Sequence, residues 1–358
     1  MSLRFIYNKD LSKTSELKQK YLSQQVLHLK NLYQPSQKSD EWYKARSELL
    51  TASDLGSILE ENSYNSPNSV LLKKIGYDDF QSNSDMVWGN KYEQVAQNIY
   101  ESRNKTEVIR FGLLKHNSIP YLGASPDGIT SDGVMLEIKC PSKRQITGIP
   151  KSYYLTQVLA QLEVCDLDRC DFLECNFKEY NSEEKYFSDK KFRSEKGVIG
   201  KFESEKDKSI YYEYSPINIS YTDLQVWKKK HKNNKLIGYD YWYLDKISCL
   251  PIYRNYEWFN NTKDKLEMFW NKVLKYKSTG LESLKNDIED ELNTLNNINK
   301  NALMFFDLKN YFSIKRLEND LEYINNLLQN KKRSANNMLD NSNINKNIVM
   351  SVKKRRIN

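Results

Sequence analysis

The chain of 358 residues has no long hydrophobic run. A membrane-spanning helix needs roughly 18 apolar residues in a row, and no run in this sequence approaches that length. The first residues, from Met1 to Tyr7, also lack the basic, apolar and small-residue plan of a signal peptide. We therefore expect an intracellular protein with no membrane anchor.

Histidine and cysteine are scarce as well. The three histidines lie far apart in the sequence, which argues against a histidine-rich metal site and a histidine-based catalytic triad. The five cysteines are an odd number without a Cys-x-x-Cys pair, so neither a disulfide framework nor a zinc ribbon is expected. They are Cys140, Cys165, Cys170, Cys175 and Cys249. We expect free thiols in a reducing compartment, and any catalysis should rest on carboxylates and lysine.

The charge balance permits a polyanionic partner. Lysine and arginine total 55 and aspartate and glutamate total 47, so the formal net charge is +8. This excess suits a phosphate backbone without identifying one. An aromatic content of 12% argues against a chain that is disordered throughout.

The order of predicted elements indicates the fold class. Hydrophobic periodicity predicts helices at 11–33, 87–101 and 152–165. Short strands are predicted between residues 107 and 140, and a further strand at 171–177. Helices, then strands, a helix and another strand predict an α/β or α+β fold with a mixed sheet.

Composition predicts four parts of the chain. Residues 1–39 form an N-terminal helical segment, and 40–280 form the main domain, with a charged surface insertion at about 181–196. Leucine and isoleucine spacing predicts a helical extension over 281–330. Residues 331–358 have basic ends and little hydrophobic pattern, so we expect a disordered basic tail.

The clearest chemistry lies in a Ser-Pro-Asp-Gly turn at 125–128 and a Glu-Ile-Lys strand shortly after it. Residues i and i+2 of a strand share a face, so Glu137 and Lys139 should project together while Ile138 faces the core. A hairpin could bring Asp127 beside Glu137. Two carboxylates this close repel unless a cation lies between them, and Mg²⁺ prefers oxygen ligands. The pattern predicts metal-assisted phosphodiester hydrolysis, with the lysine orienting or deprotonating the attacking water.

Each of these features also has a purely structural explanation. A Pro-Asp-Gly turn is common, and Glu-x-Lys on a strand can be a solvated face or a cross-strand ion pair. Glu93, on the predicted helix at 87–101, could be a third carboxylate of the site or a solvated one. Gln157 could lie at the site or merely bridge neighbouring groups.

Six motifs in a fixed order link these residues to a known family. They are Trp-x-x-x-Arg at 42–46, Thr-Ala-Ser at 51–53, Gly-x-x-x-Glu at 89–93, Ser-Pro-Asp-Gly at 125–128, Glu-x-Lys-Cys-Pro at 137–141 and Tyr-x-x-Gln at 154–157. Together they resemble the YqaJ-type viral recombinase nucleases. That group includes the phage lambda-type alkaline exonuclease and belongs to the PD-(D/E)XK nuclease superfamily. The resemblance covers about residues 40–180, and an ordered set of six motifs is a far more specific signal than any one of them.

The resemblance implies a role for each matching residue. The metal-binding groups would be Glu93, Asp127, Glu137 and the backbone carbonyl of Ile138. Lys139 would position or activate the nucleophilic water, and Gln157 would lie near the metal centre. The residues that would hold a terminal 5′-phosphate are Arg46, Ser53 and Ser125. A further phosphate-binding arginine of the family corresponds to Arg144 with a spacing off by one, and Lys143 competes with it for that position.

The resemblance also implies a fold, an activity and partners. The fold would be a PD-(D/E)XK nuclease core, a mixed sheet flanked by helices, here with a helical C-terminal extension. The activity would be Mg²⁺-dependent digestion of double-stranded DNA from its ends, 5′→3′ in lambda-type members, with Mn²⁺ able to substitute. We expect no iron–sulfur cluster. A single-strand annealing protein or another recombination protein is a candidate partner, and a homo-oligomer is a further possibility.

Two other functions stay open, as does the origin of the chain. The same scaffold could act as an endonuclease, or as a catalytically silent DNA-binding or assembly protein. The lysine- and asparagine-rich composition after Gly280 indicates AT-rich coding, which is typical of a large DNA virus. A viral protein of this kind would work in the host cytoplasm or, with its basic runs as import signals, in the nucleus.

Overall fold

The computed structural model describes residues 14–77, 83–191, 193–231, 235–301 and 308–354. Its helices are α1 (Thr14–Asn31), α2 (Asp40–Ser47), α3 (Ala52–Ile58), α4 (Pro67–Lys74), α5 (Ser84–Asn104), α6 (Ser152–Cys165), α7 (Glu183–Ser188), α8 (Tyr221–Lys230), α9 (Tyr256–Thr279), α10 (Leu281–Asn301) and α11 (Leu308–Lys354). Its strands are β1 (Leu50–Thr51), β2 (Val108–Ile109), β3 (Leu114–Lys115), β4 (Leu122–Ala124), β5 (Gly128–Thr130), β6 (Val134–Lys139), β7 (Arg169–Tyr180), β8 (Lys196–Glu203), β9 (Ile210–Tyr214) and β10 (Lys235–Tyr253).

The central element is a mixed sheet, which confirms the predicted fold class. Within the described ranges, seven strands pair in the order β2-β5-β6-β7-β10-β8-β9, and three more pair as β1-β4-β3. In the larger sheet β6 and β7 are parallel, and the other neighbouring strands are antiparallel. The connection between the parallel pair is α6, as a parallel pair requires a crossover.

Helices α5 and α6 cover opposite faces of this sheet. Strand β6 alternates, and on one face Leu136, Ile138 and Cys140 join a buried cluster with the apolar side chains of α5. The other face of β6 carries Glu137 and Lys139, which contact α6. The predicted division of β6 into a core face and a polar face is therefore confirmed.

The longest strand, β10, is absent from the elements predicted by sequence. It spans residues 235–253 and pairs with β7 along one edge and with β8 along the other. Register shifts at Leu244/Lys246 and Leu236/Gly238 break its alternation, so no period of two persists through it. Pro251 pairs with β7 at a point where β8 no longer pairs with β10. One edge of β10 is therefore open there, and a residue without an N–H is tolerated.

The chain divides into two compact units. One unit comprises residues 1–56 and 80–263, and the other comprises 57–79 and 264–358. The helical C-terminal unit therefore begins inside α9 rather than at residue 281. It also includes α4, since Ser66 and Asn68 donate hydrogen bonds of 2.9 and 3.0 Å to the carboxylate of Asp320 on α11.

Two further segments differ from expectation. Helix α11 continues to Lys354, through most of the tail expected to be disordered, and residues 355–358 lie outside the described part. After Gly280 the sequence contains neither glycine nor proline, so neither of these helix-breaking residues interrupts α11. The segment at 181–196 is not simply a surface insertion, because α7 buries Tyr186 completely in a small core with β8, α8 and β10.

Helix α1 lies within the predicted 11–33 helix, whose first three residues are outside the described ranges. None of the described helices is long and apolar enough to cross a membrane.

Arg254, which follows β10, links the end of α6 to the sheet through hydrogen bonds and ion pairs. Its guanidinium donates to Glu163 at 2.9 Å and to Asp166, and its backbone N–H donates to the Asp168 carbonyl at 2.9 Å. The Arg254 and Glu163 side chains are only 9% and 13% exposed, so water screens their ion pair weakly, whereas Asp166 is more exposed. Because α6 carries Gln157, this anchor also fixes a helix of the candidate site.

We predict that Arg254→Met lowers the free energy of unfolding by about 2–3 kcal/mol, because it leaves two carboxylates without their cation. The measurement is urea denaturation at neutral pH. Lys235→Met is the matched control, since Lys235 makes an ion pair with Glu203 at 2.5 Å but is 57% exposed and should change stability by less than about 0.5 kcal/mol. Equal losses in the two variants would contradict the anchoring role of Arg254.

Candidate functional site

The β5–β6 hairpin brings Asp127 beside Glu137, as predicted. The two strands are antiparallel, with Gly128 opposite Leu136, so the residue before β5 reaches the end of β6. There the Ile138 N–H donates to Asp127 Oδ2 at 2.6 Å. Glycine is required after the aspartate, because a Cβ on Gly128 would lie 2.1 Å from Val108 Cγ1.

Glu137 is the buried centre of the site. Its side chain and backbone together are only 1% exposed, yet its carboxylate accepts hydrogen bonds from three side chains. Lys139 Nζ donates to Oε1 at 2.5 Å, and Gln157 Nε2 donates to the same oxygen at 2.7 Å. Gln161 Nε2 donates to Oε2 at 2.8 Å. The three donors replace the hydrogen bonds to water that this carboxylate loses on burial.

Gln161 is the residue that sequence reasoning missed. It lies four residues after Gln157, so the two amides share one face of α6 and both reach Glu137. The spacing of the pair was visible in the sequence, but a glutamine inside a helix predicts no burial by itself. In the described structure Gln161 is 1% exposed, and its Oε1 atom is buried without a hydrogen-bond partner.

The charges of the site act strongly on one another. Burial raises the pKa of Asp127 well above its usual value, and the neighbouring charges of Glu137 and Glu93 raise it further. Burial alone would lower the pKa of Lys139, but the carboxylates of Glu137 and Asp127 outweigh it and raise that pKa. The lysine is therefore a fixed positive charge among acids, and its ammonium also lies 4.9 Å from the centre of the Tyr154 ring.

Glu93 approaches the site from α5. It is half-buried, and it lines a cavity of about 400 Å³ together with Asp127. The preceding turn of α5 is held to the sheet by Lys91, which bonds to Asp240 at 2.9 Å and to Glu179 at 2.5 Å. The structure thus brings all three predicted acids towards one place, from the hairpin and from the helix.

The donor set fits a hard divalent cation. Among the residues that the structure describes, no group of three or more histidine, cysteine, aspartate and glutamate side chains is already arranged to hold a metal ion. The acids here are nevertheless all oxygen donors, and after burial, the largest cause, the repulsion of Glu137 and Glu93 raises the pKa of Asp127 further. A divalent cation would convert that repulsion into attraction, which is the requirement for a Mg²⁺ or Mn²⁺ site.

A second group of predicted residues also comes together. Arg46 Nη2 donates to Ser53 Oγ at 3.0 Å, and its guanidinium stacks over the Trp42 ring at 4.3 Å. The indole of Trp42 donates to Ser125 Oγ at 3.0 Å. Burial lowers the pKa of Arg46, an effect that the nearby Asp54 opposes. Because Ser125 is two residues before Asp127, this group adjoins the carboxylates along the chain.

The two candidates for a further phosphate-binding cation lie in different surroundings. Arg144 bonds to the buried Glu174 at 2.6 Å, and its guanidinium lies 5.9 Å from the centre of the Tyr154 ring that Lys139 also contacts. Lys143 is 81% exposed and pairs with Asp85 at 3.5 Å. Arg144 therefore shares the Tyr154 ring with Lys139 of the site, whereas Lys143 faces solvent.

The cysteines belong mostly to the core. Cys140, Cys165, Cys170 and Cys175 are buried, and Cys249 is half-buried. Burial raises the pKa of Cys165 to about 12, so its thiol stays protonated. These residues contribute apolar packing around the strand that carries Glu137.

Comparison with protein families identifies the domain that contains this site. Residues 41–168 match the YqaJ-like viral recombinase domain, which includes the predicted site residues from Arg46 to Gln157. This part of the chain therefore matches the YqaJ-like viral recombinase domain, and the resemblance predicted from the six motifs is confirmed.

Known relatives are proteins of large DNA viruses. An uncharacterised protein of Acanthamoeba polyphaga mimivirus is 30% identical over 300 residues, which cover 70% of this chain and 54% of the relative. A protein of African swine fever virus is 29% identical over 162 residues, covering 36% of this chain and 46% of the relative. The chain thus spans about half the length of the relatives it matches.

Solved structures with some similarity are exonucleases. The alkaline exonuclease LHK-Exo from Laribacter hongkongensis is 19% identical with a TM-score of 0.43, covering 70% of this chain and 99% of that one. A phage-related exonuclease from Haemophilus somnus is 13% identical with a TM-score of 0.36, covering 70% of this chain and 96% of that one.

We predict that Gln161→Glu destabilises the protein by more than about 2 kcal/mol at pH 8, because it places a second carboxylate against the buried Glu137. Burial and like charge would raise the pKa of the new carboxyl group above its unfolded value of about 4.3. Its unfavourable contribution therefore grows as the pH rises above that value, so the loss should be smaller at pH 5 than at pH 8. Urea denaturation at both pH values measures this.

The matched control is Gln225→Glu. Gln225 also donates to a carboxylate, that of Glu183 at 3.1 Å, but it is half-exposed and Lys228 lies on the same carboxylate. The loss of stability in Gln225→Glu should be smaller than in Gln161→Glu and should depend less on pH. If both variants followed the same pH dependence, the buried contact between Gln161 and Glu137 would be disproved.

Proposed function

We propose that the chain is a metal-dependent deoxyribonuclease that digests linear double-stranded DNA from its ends, in the 5′→3′ direction. The observation that carries the proposal is the cluster of Asp127, Glu137 and Lys139 on one hairpin. Gln157 donates a hydrogen bond to the Glu137 carboxylate of this cluster. The match to a viral recombinase domain supports a nuclease acting on DNA. The viral relatives support an origin in a large DNA virus.

In this proposal the acids hold the metal and the lysine acts on the water. Glu93, Asp127 and Glu137 would hold a divalent cation, with the backbone carbonyl of Ile138. That cation would supply a bound water of lowered pKa and would stabilise charge on the phosphate oxygens. Lys139 bonds to Glu137 and carries further N–H donors, so it can orient the attacking water or donate to the phosphate.

The amides of α6 position the carboxylate rather than react. Gln157 and Gln161 each donate to a different oxygen of Glu137, which fixes the rotation of the carboxylate group. Gln157 Oε1 also lies 3.4 Å from Lys139 Nζ, so the same amide orients the ammonium. With both groups held, little reorganisation is needed when the phosphodiester arrives.

The preference for a DNA end would come from the group around Arg46. A planar guanidinium can donate two parallel hydrogen bonds to a phosphate, and the Ser53 and Ser125 hydroxyls can donate further ones. The stacking of Arg46 on Trp42 fixes the plane of its guanidinium in advance. A terminal 5′-phosphate bound there would place the adjoining phosphodiester towards Asp127.

We predict that Lys139→Met lowers the rate of DNA digestion by at least about 100-fold, because the water or phosphate loses its positioned donor. The assay uses linear duplex DNA with an internal label, beside a covalently closed circle, with Mg²⁺ or EDTA. The wild type should digest only the linear DNA and only with Mg²⁺. Lys178→Met is the control, since Lys178 lies on the adjacent strand β7 and pairs with Asp245 at 2.9 Å.

Three results would contradict parts of this proposal. Unchanged turnover in Lys139→Met would remove the lysine from the reaction. Cutting of the closed circle would show an endonuclease on the same scaffold. DNA binding without any digestion by the wild type would show a DNA-binding or assembly protein instead.

We predict that Arg46→Ala reduces the preference for 5′-phosphorylated over 5′-hydroxyl ends by about tenfold or more, since charge-assisted hydrogen bonds to the phosphate are lost. Competition between the two linear substrates in one reaction measures the preference. Arg46→Lys should recover it only in part, because lysine keeps the charge but not the planar pair of donors. A preference unchanged in Arg46→Ala would place the end-binding site elsewhere.

A further inference from the structure

A cleft leads away from the candidate carboxylates towards strand β9. One cavity of about 400 Å³ reaches Asp127 and Glu93, and a second of about 490 Å³ reaches β9. Both are lined by Lys38, Glu93 and Arg110, so the two cavities adjoin. We call the part beyond Glu93 the β9 cleft, and its lining includes Lys38, Val87, Arg110, Ile210, Tyr212 and Tyr214. Each cavity is of the size that holds a small ligand.

Two cations in this cleft have no acidic partner in the part of the chain that the structure describes. Arg110 is exposed, and its guanidinium donates only to side-chain amides, those of Gln94 and, at 3.5 Å, Gln97. Lys38 is exposed too, and within the described ranges neither residue forms an ion pair with a carboxylate. Side chains of this kind are free to take phosphate groups.

Neighbouring residues hold the turn that carries Lys38 in place. The neighbouring Gln37 amide donates to the Phe111 and Pro126 carbonyls, both at 2.9 Å, so this turn is fixed to the segment that carries Asp127. Gly112 allows the close approach, because a Cβ on it would lie 2.1 Å from the Pro35 carbonyl oxygen. The lysine is therefore presented by a rigid turn at the mouth of the site.

The other wall of the cleft is apolar and aromatic. Ile210, Tyr212 and Tyr214 share one face of β9, and Ile210 is 51% exposed. Across from them Val87 is 48% exposed. Tyr214 is fixed by donating to the Lys91 carbonyl at 3.0 Å, whereas the half-buried Tyr212 ring stacks on no other aromatic ring in the described part of the chain.

We infer that the β9 cleft binds a short stretch of single-stranded DNA, with bases against Tyr212 and phosphates at Lys38 and Arg110. The bases of a duplex are stacked on one another and leave little for an apolar wall to contact. An unpaired strand exposes its bases, and these can stack on aromatic side chains. Lysine and arginine side chains then bind the phosphates of its backbone. The inference rests on the proposed function, because the strand would run from the cleft to the carboxylates.

The cleft extends beyond the family domain. Lys38 and all of β9 lie outside residues 41–168, whereas Glu93 and Arg110 lie within them. The strand-binding wall is thus formed by parts of this chain that the family match does not cover. It would hold the unpaired strand at the end of a duplex while the carboxylates act on the adjoining phosphodiester.

The test measures binding of the full chain to a fluorescent oligothymidylate of about 12 nucleotides, within the range that single-strand modules occupy. Titrations use fluorescence anisotropy in Ca²⁺ buffer, with a gel to verify that the oligonucleotide stays intact. Tyr212→Leu keeps the apolar contact with the core and removes the ring, and should weaken binding about tenfold. Lys38→Asn combined with Arg110→Gln should reduce the slope of log affinity against log salt by about 1.4.

Matched controls separate the cleft from general effects. Tyr211→Leu alters the opposite face of β9, where Tyr211 stacks on Phe202 at 5.6 Å. Lys105→Asn removes an exposed lysine whose backbone has φ +54°, like Lys38 with φ +67°, but which does not line the cleft. Both controls should bind the oligonucleotide as the wild type does.

The outcomes separate this inference from the proposed function. Loss of single-strand binding in the cleft variants alone supports the inference, even if the wild type digests no DNA. Equal binding by all variants, or no binding by the wild type, overturns it even if the wild type digests linear DNA. If a duplex of the same length binds as tightly and responds to the same variants, the occupant is duplex DNA and the inference is overturned.

Discussion

The arrangement of the site depends on one buried carboxylate. Glu137 lies inside the sheet with almost no exposure, and a charge in that position is costly unless donors surround it. Lys139 supplies a donor from the same strand, and Gln157 and Gln161 supply two more from α6. The helix must therefore lie across this face of the sheet, in the rotation that directs both amides at β6.

The opposite face of β6 explains how a third acid reaches the same place. Leu136 and Ile138 pack against α5, so this helix covers the apolar face with Glu93 near its middle. Lys91 and its two carboxylate partners fix the helix to β7 and β10, which limits where Glu93 can lie. Apolar packing on one face and amide donors on the other thus bring acids from separate elements together.

The local geometry of the site was largely predictable from sequence, because it depends on short-range patterns. The alternation of β6 and the hairpin that brings Asp127 beside Glu137 require only local geometry, and both predictions are confirmed. Helix α6 was predicted with its observed limits, since its apolar period is regular and Pro150 precedes it closely. The roles assigned to Arg46 and to the other phosphate-binding candidates stay predictions, although the structure brings Arg46, Ser53 and Ser125 together.

Features that depend on distant parts of the chain were not predictable. Strand β10 is stabilised by pairing along both edges and carries bulges that erase its pattern. The grouping of α4 with the C-terminal helices reflects the contact of Ser66 and Asn68 with Asp320, more than 250 residues away. Gln161 gave no signal of its own, because only the three-dimensional position of Glu137 makes a buried amide favourable there.

The central claim is that these carboxylates form a divalent-cation site for phosphodiester hydrolysis. The most direct measurement is anomalous diffraction from crystals of the protein soaked in Mn²⁺. The account predicts an anomalous peak coordinated by Asp127 and Glu137, which disappears in crystals of Glu137→Gln. No peak at these residues in the wild type, or a peak that Glu137→Gln leaves unchanged, would contradict it.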